Sequence, residues 1–143
     1  MKAKLSSEIA VLQEISSALV RERNVRVLLD DVLGILEKRM DMCRGTFTLL
    51  QGNELSIEAS RGLNAEEKAH GHYCLGEGIT GRVAQTGRAE VVPDVHADSR
   101  FLNRTGARGG VCPIAFVCVP LVHLGQVIGT YTNAIGQIGR AHV

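Results

Sequence analysis

The sequence predicts an α+β domain in which one antiparallel sheet is packed against helices. Two stretches of helical period open the chain, strand-period hairpins follow near residues 50 and 120, and a glycine-punctuated crossover joins the hairpins. Helix, helix, hairpin, crossover, hairpin is the element order of a layered sheet with its helices gathered on it.

The first helix is read from Leu5, Ile9, Leu12, Ile15 and Leu19, which recur at steps of three and four among Lys4, Glu8, Gln13, Glu14 and Arg21. The stripe is narrow and close to heptad spacing, so residues 1–22 are expected to form a signalling helix that pairs with a second copy as a homodimer. Asn24 can cap the next helix, where Val25, Leu28, Leu29, Val32, Leu33, Leu36 and Met40 make a broader stripe suited to burial against a sheet. After Arg44 and Gly45 the period falls to two. Phe47 and Leu49 precede the polar turn Gln51-Gly52-Asn53-Glu54, and Leu55, Ile57 and Ala59 follow it, as a β-hairpin requires.

Asn64 opens a short polar helix through Ala69, and His70 to Tyr73 lead into the glycine segment. Ile79 to Gln85 is one further helix. Val91 and Val92 make a brief strand stopped by Pro93, with an irregular turn over Ala97 to Leu102. Ile114 to Val122 and Gln126 to Thr132 form the last hairpin, turning at His123-Leu124-Gly125.

The chain's 143 residues suit one domain. Its 16 basic and 15 acidic residues nearly cancel, which offers no footprint for phosphate backbones or anionic membranes, so no direct nucleic-acid contact is expected. No apolar run approaches the roughly 20 residues of a membrane helix, and no signal peptide opens the chain, so a cytoplasmic location is expected. Cys43, Cys74, Cys112 and Cys118 lack the close pairing of a zinc or iron-sulfur motif and read as reduced thiols, with Cys118 in the core. His70 and His72 read as polar loop residues, and no metal is expected. GEGITG lacks the lysine and hydroxyl of a P-loop.

The segment YCLGEGITGRVAQTGRAEVVPDVHADSRFLNRTGAR, from Tyr73 to Arg108, resembles the GAF domain, a small-molecule sensor module. Its closing FLNRTGAR narrows the resemblance to the sensor at the front of the nitrogen-fixation activators, which are sigma-54-dependent transcription regulators. The resemblance implies a sensor domain over residues 23–135, with no catalytic residue of its own, that controls an ATPase and a DNA-binding domain elsewhere in a longer protein. It implies a ligand cavity on one face of the sheet, with Gly76, Gly78, Gly81 and Gly87 shaping its lid. Arg82, Asp94, Asp98, Arg100, Phe101, Asn103 and Arg104 would face that cavity. Arginine suits a dicarboxylate effector resembling 2-oxoglutarate, because its planar fork matches a carboxylate. A regulatory partner protein is the other expected input.

The family pattern continues past VIGTY into a long closing helix, where this chain instead reads TNAIGQIGRAHV. Residues 136–143 are expected to be a non-native tail, since Ile138 to Val143 is what the start of a common sequencing adapter encodes in this frame. The sensor of a histidine kinase or cyclic-dinucleotide enzyme is the alternative reading. The free methionine sulfoxide reductase shares the fold but carries a cysteine in the glycine motif, where this chain has Ile79 and Thr80.

Overall fold

The computed structural model describes residues 2–42, 44–93 and 114–136. Its elements run α1 (Lys2–Arg21), α2 (Val25–Met40), β1 (Gly45–Gln51), β2 (Glu54–Ser60), α3 (Ala65–Ala69), β3 (His72–Cys74), α4 (Gly78–Thr86), β4 (Glu90–Val92), β5 (Ile114–His123) and β6 (Gln126–Gly136). The strands form one six-stranded sheet in the order β3-β2-β1-β6-β5-β4, with every neighbouring pair antiparallel. The expected α+β architecture is what the chain adopts.

Local chemistry sets the element ends. The Asn24 side chain accepts a hydrogen bond from the Val27 amide and starts α2. Asn64 and Glu67 exchange side-chain and backbone bonds in a capping box, which lets the five-residue α3 form. Strand β3 is the element that period reading missed: three residues are too few to show alternation, and the segment is held by pairing of Leu55 with Tyr73 and of Glu54 with Cys74.

Each face of the sheet carries its own core. On one face α2 lays Leu33 over Phe47, Ala59 and Tyr131, with Leu29, Val32 and Leu36 packed around them. The Phe47 and Tyr131 rings meet at 5.1 Å between centroids and 51° between planes. On the other face α4 sets Ile79 and Val83 against Val92, Phe116, Cys118 and Ala134. The two ends of the α2 stripe, Val25 and Met40, remain exposed.

Helix α1 reaches the sheet through α2. It docks with Val11 and Ala18, seven residues apart, and the ion pair between Glu14 and Arg39 at 2.9 Å ties the two helices together. Docking on Val11 and Ala18 turns the stripe read from sequence outward: Ile9, Leu12 and Leu19 are 46%, 65% and 56% exposed. Ile15 of the same stripe is half-buried, so among the described residues the uncovered part is Ile9, Leu12 and Leu19.

Candidate functional site

A four-residue pattern occurs twice, as Gly45-Thr46-Phe47-Thr48 in β1 and Gly129-Thr130-Tyr131-Thr132 in β6. The two strands are adjacent at the centre of the sheet and pair Thr46 with Thr132, Phe47 with Tyr131 and Thr48 with Thr130. Alternation then sends both aromatics to the α2 face and all four threonines to the α4 face. All four are buried, between 0% and 5% exposed.

The polar surface extends sideways through the pairing register. Ser60 opposes Thr46, Thr132 opposes Cys118, and Cys118 opposes Glu90, so a transverse row Ser60-Thr46-Thr132-Cys118-Glu90 crosses five strands on one face. A second row holds Thr48 and Thr130, whose hydroxyls lie 2.6 Å apart and satisfy each other. The Cys118 thiol lies beside the hydroxyls of Thr80, on the buried side of α4, and Thr130. Two hydroxyls in this surface have no partner. The Oγ1 of Thr46 and the Oγ of Ser60 are buried and unbonded among the described residues. An unmet buried hydroxyl costs about 1–3 kcal/mol, so two of them side by side mark a place that a further polar group would stabilise.

Burial raises the Cys118 thiol from its ordinary 9.0 to about 12, outweighing the nearby Thr80 and Thr130 hydroxyls, which favour the thiolate. The neutral thiol's contribution to folding is then complete below about 9 and is lost as pH climbs towards about 12. A thiol held neutral is a poor nucleophile, which agrees with its reading as a core residue. Cys74 is exposed, while Cys43 and Cys112 lie outside the described residues.

The glycine segment builds α4 and seats it on the sheet. Gly76 and Gly78 take φ of 85° and 66° ahead of the first turn, and Gly87 at φ 70° caps the last by donating to the Val83 carbonyl at 2.8 Å. Gly81 faces the Cys74 backbone so closely that a Cβ would run into the carbonyl oxygen. The four glycines thus give α4 its ends and its close approach to β3.

Of the charged candidates, Arg82 sits on the exposed side of α4, while Ile79, Thr80, Val83 and Ala84 take the buried side. Asp94, Asp98, Arg100, Phe101, Asn103 and Arg104, with the turn over residues 97–102 and His96, lie outside the described residues, as do residues 137–143. His70 and His72 are exposed, the latter 3.5 Å from Glu54, and no metal-binding group of three or more ligands occurs among the described residues. No described helix is long and apolar enough to cross a membrane. The threonines escaped sequence reading because each interrupts an apolar alternation and so counts as its solvent side. The repeated Gly-Thr-aromatic-Thr was the available signal.

The profile of the GAF domain matches residues 22–134. Two Azotobacter vinelandii proteins, nitrogen fixation proteins AnfA and VnfA, are each 37% identical to the chain over 123 and 125 residues, covering 84% of it. The Nif-specific regulatory protein of Azospirillum lipoferum is 35% identical over 128 residues, covering 87%. The chain spans 23%, 24% and 20% of the length of these three relatives. Among solved structures, the A. aeolicus nlh2 GAF domain in an inactive state superposes with a TM-score of 0.80 at 30% identity, over 91% of this chain and 80% of that one. A free methionine-R-sulfoxide reductase from Neisseria meningitidis, at 22% identity and a TM-score of 0.71, shares the fold. With its family profile filled from the second helix to the last strand, the chain belongs to the GAF domain family and is homologous to a segment of the Nif, Anf and Vnf transcriptional activators.

Proposed function

We propose that this chain is a non-catalytic sensor segment of a cytoplasmic transcription activator, in which a small molecule on the α4 face biases the helices on the α2 face. The observation that carries this reading is the division of labour in the sheet. Its α4 face bears a buried polar surface with two unmet hydroxyls, and its α2 face bears α2 with α1 docked on it. Phe47 and Tyr131 stand between threonines on the same strands, so a shift in the polar surface is transmitted to Leu33 through a few atoms of packed core. A ligand switches such an element only by preferring one arrangement of it. The regulatory relatives support the assignment to transcription control, with the ATPase and DNA-binding functions supplied by the rest of a longer protein.

A dicarboxylate of the 2-oxoglutarate kind is the proposed effector, with Arg100 and Arg104 of the crossover as its charged partners. Arg82 is placed less favourably, on the outer side of α4. Calorimetric titration of 2-oxoglutarate should show saturable binding that Arg104→Ala weakens at least tenfold, the loss expected for a charge-assisted pair. Absence of heat with the parent chain would remove the dicarboxylate.

The outward stripe of α1 is proposed to pair with a second copy. Leu12 and Leu19 stand one heptad apart, Ile9 lies one turn before Leu12, and all three are exposed. Sedimentation equilibrium should give a dimer that Leu12→Glu converts to monomer; a parent chain that is monomeric at high micromolar concentration would contradict the pairing.

A further inference from the structure

A second surface of α1, carrying Ala10 and Ser17, looks into an open groove of about 560 Å³ that it shares with α2 and with Arg61, the residue after β2. Ala10, Glu14, Ser17 and Arg21 line it at steps of four, three and four, and Gly34 and Lys38 line it from α2, the spacing at which a further helix packs. The Arg61 backbone is fixed by donating to the Gly45 carbonyl at 2.8 Å. Its side chain, 34% exposed, crosses α2 at Gly34, where a Cβ would stand 2.9 Å from Nη2. Glycine inside a helix is unfavourable, and here it clears the path for the guanidinium. Nη2 donates to the Asp30 carbonyl at 3.3 Å, with the Asp30 carboxylate at 3.9 Å, while Nε is buried and has no partner. A cationic donor left unmet is costly, and a carboxylate in the groove would meet it. The balance of charge agrees. Glu14 is taken by Arg39 at 2.9 Å, so the lining offers Arg21, Lys38 and Arg61 against the single acid Asp31.

We propose that this groove docks an amphipathic helix of a partner protein, small along its contact line and acidic on its flanks, with Arg61 as the anchor. The planar fork of Arg61 matches one carboxylate, and Lys38 and Arg21 meet others along the groove. From Ala10 to Arg21 the α1 wall runs about 16 Å, room for three turns of helix. Ala10, Ser17 and Gly34 allow the close approach that such packing needs. Docking would clamp α1 to α2 beyond what Val11, Ala18 and the Glu14 pair with Arg39 supply. It is independent of whatever the α4 face binds, and it gives a partner protein its own route to the helices.

The probes are a capped alanine-based helical peptide with glutamates at alternating three- and four-residue spacing, and its counterpart with glutamine in their place. Amide-resolved NMR titration of the 143-residue chain with the glutamate peptide should give saturable shifts at Ala10, Ser17 and Gly34. Hydrogen exchange in α1 should slow at the same time. The glutamine peptide should bind about tenfold more weakly, and added salt should narrow the gap. Arg61→Gln should weaken the glutamate peptide about tenfold, and Arg61→Lys, which keeps the charge without the fork, should recover only part of the loss. Because Arg61 also holds the Asp30 carbonyl, Lys38→Gln supplies a variant that leaves that bond intact, with an expected weakening of about threefold. Equal binding of the two peptides, shifts confined to other surfaces, or no response at millimolar peptide would overturn the docking site. Inorganic phosphate that shifts the same amides while the glutamate peptide does not would overturn it as well, leaving an anion site without a helix.

Discussion

Gly81→Ala is expected to cost about 3 kcal/mol or more, because the added methyl meets backbone that no rotamer change can clear. Its Cβ would be driven into the Cys74 carbonyl oxygen, with the Gly76 backbone close behind. The turn that brings them together is tightly bonded: Gly76 donates to the Gly81 carbonyl at 2.8 Å, and Gly81 donates to the Glu77 carbonyl at 2.9 Å. Relief requires α4 to lift from β3, which opens the packing of Ile79 and Val83 over Cys118. The expected result is a large fall in melting temperature together with iodoacetamide labelling of Cys118 in the native state, mapped by peptide mass spectrometry. In the parent chain the thiol is fully buried and held neutral, and Cys74 should label instead. A Gly81→Ala chain with parental melting and an unlabelled Cys118 would show that α4 does not depend on this approach.

Leu33→Ala should remove about 3 kcal/mol from the opposite face, within the range for emptying a fully buried leucine site. Leu33 is 0% exposed and packs on Phe47, Ala59 and Tyr131, the side chains that share β1 and β6 with the threonines. In a domain of this size that loss corresponds to a melting temperature lower by about 10 °C. It should also loosen α1, which is anchored on α2 through Val11, Ala18 and the pair of Glu14 with Arg39. Hydrogen exchange would show this as faster exchange across both helices with the β1 and β6 amides still protected. Uniform acceleration throughout the chain would mean that the helices and the sheet unfold as one unit.

Nearly every element was legible in the sequence because each declares itself locally. Asn24 and Asn64 stand where caps are needed, and the hairpins alternate around their turn residues. Strand β3 was not legible, since its three residues depend on a partner strand that local pattern does not contain. Which residues of α1 dock on α2 was not legible either. Two small, unassuming positions, Val11 and Ala18, win the contact with α2, and the larger Leu12 and Leu19 are left outside. Spacing finds a stripe but cannot say which neighbour claims it.

The candidate site was read only in part for a related reason. The family resemblance points to charged residues on the crossover, whereas the described residues offer a neutral surface made by strands. A sheet covered on both faces buries its polar positions as well as its apolar ones, so alternation no longer tells inside from outside. Thr46, Thr48, Thr130 and Thr132 become a site only when β1 and β6 are known to be neighbours in register. That pairing is a long-range fact, foreshadowed by the repeated Gly-Thr-aromatic-Thr.

In the proposed function this segment senses and the rest of a longer activator responds. It is tested most directly by replacing the matching segment of a Nif-specific regulatory protein with residues 2–136 of this chain and measuring transcription from its target promoter. The graft is expected to restore the regulation lost when the segment is deleted, and Leu33→Ala within the graft to abolish it again. A graft indistinguishable from the deletion under every condition would contradict a sensing role for this segment.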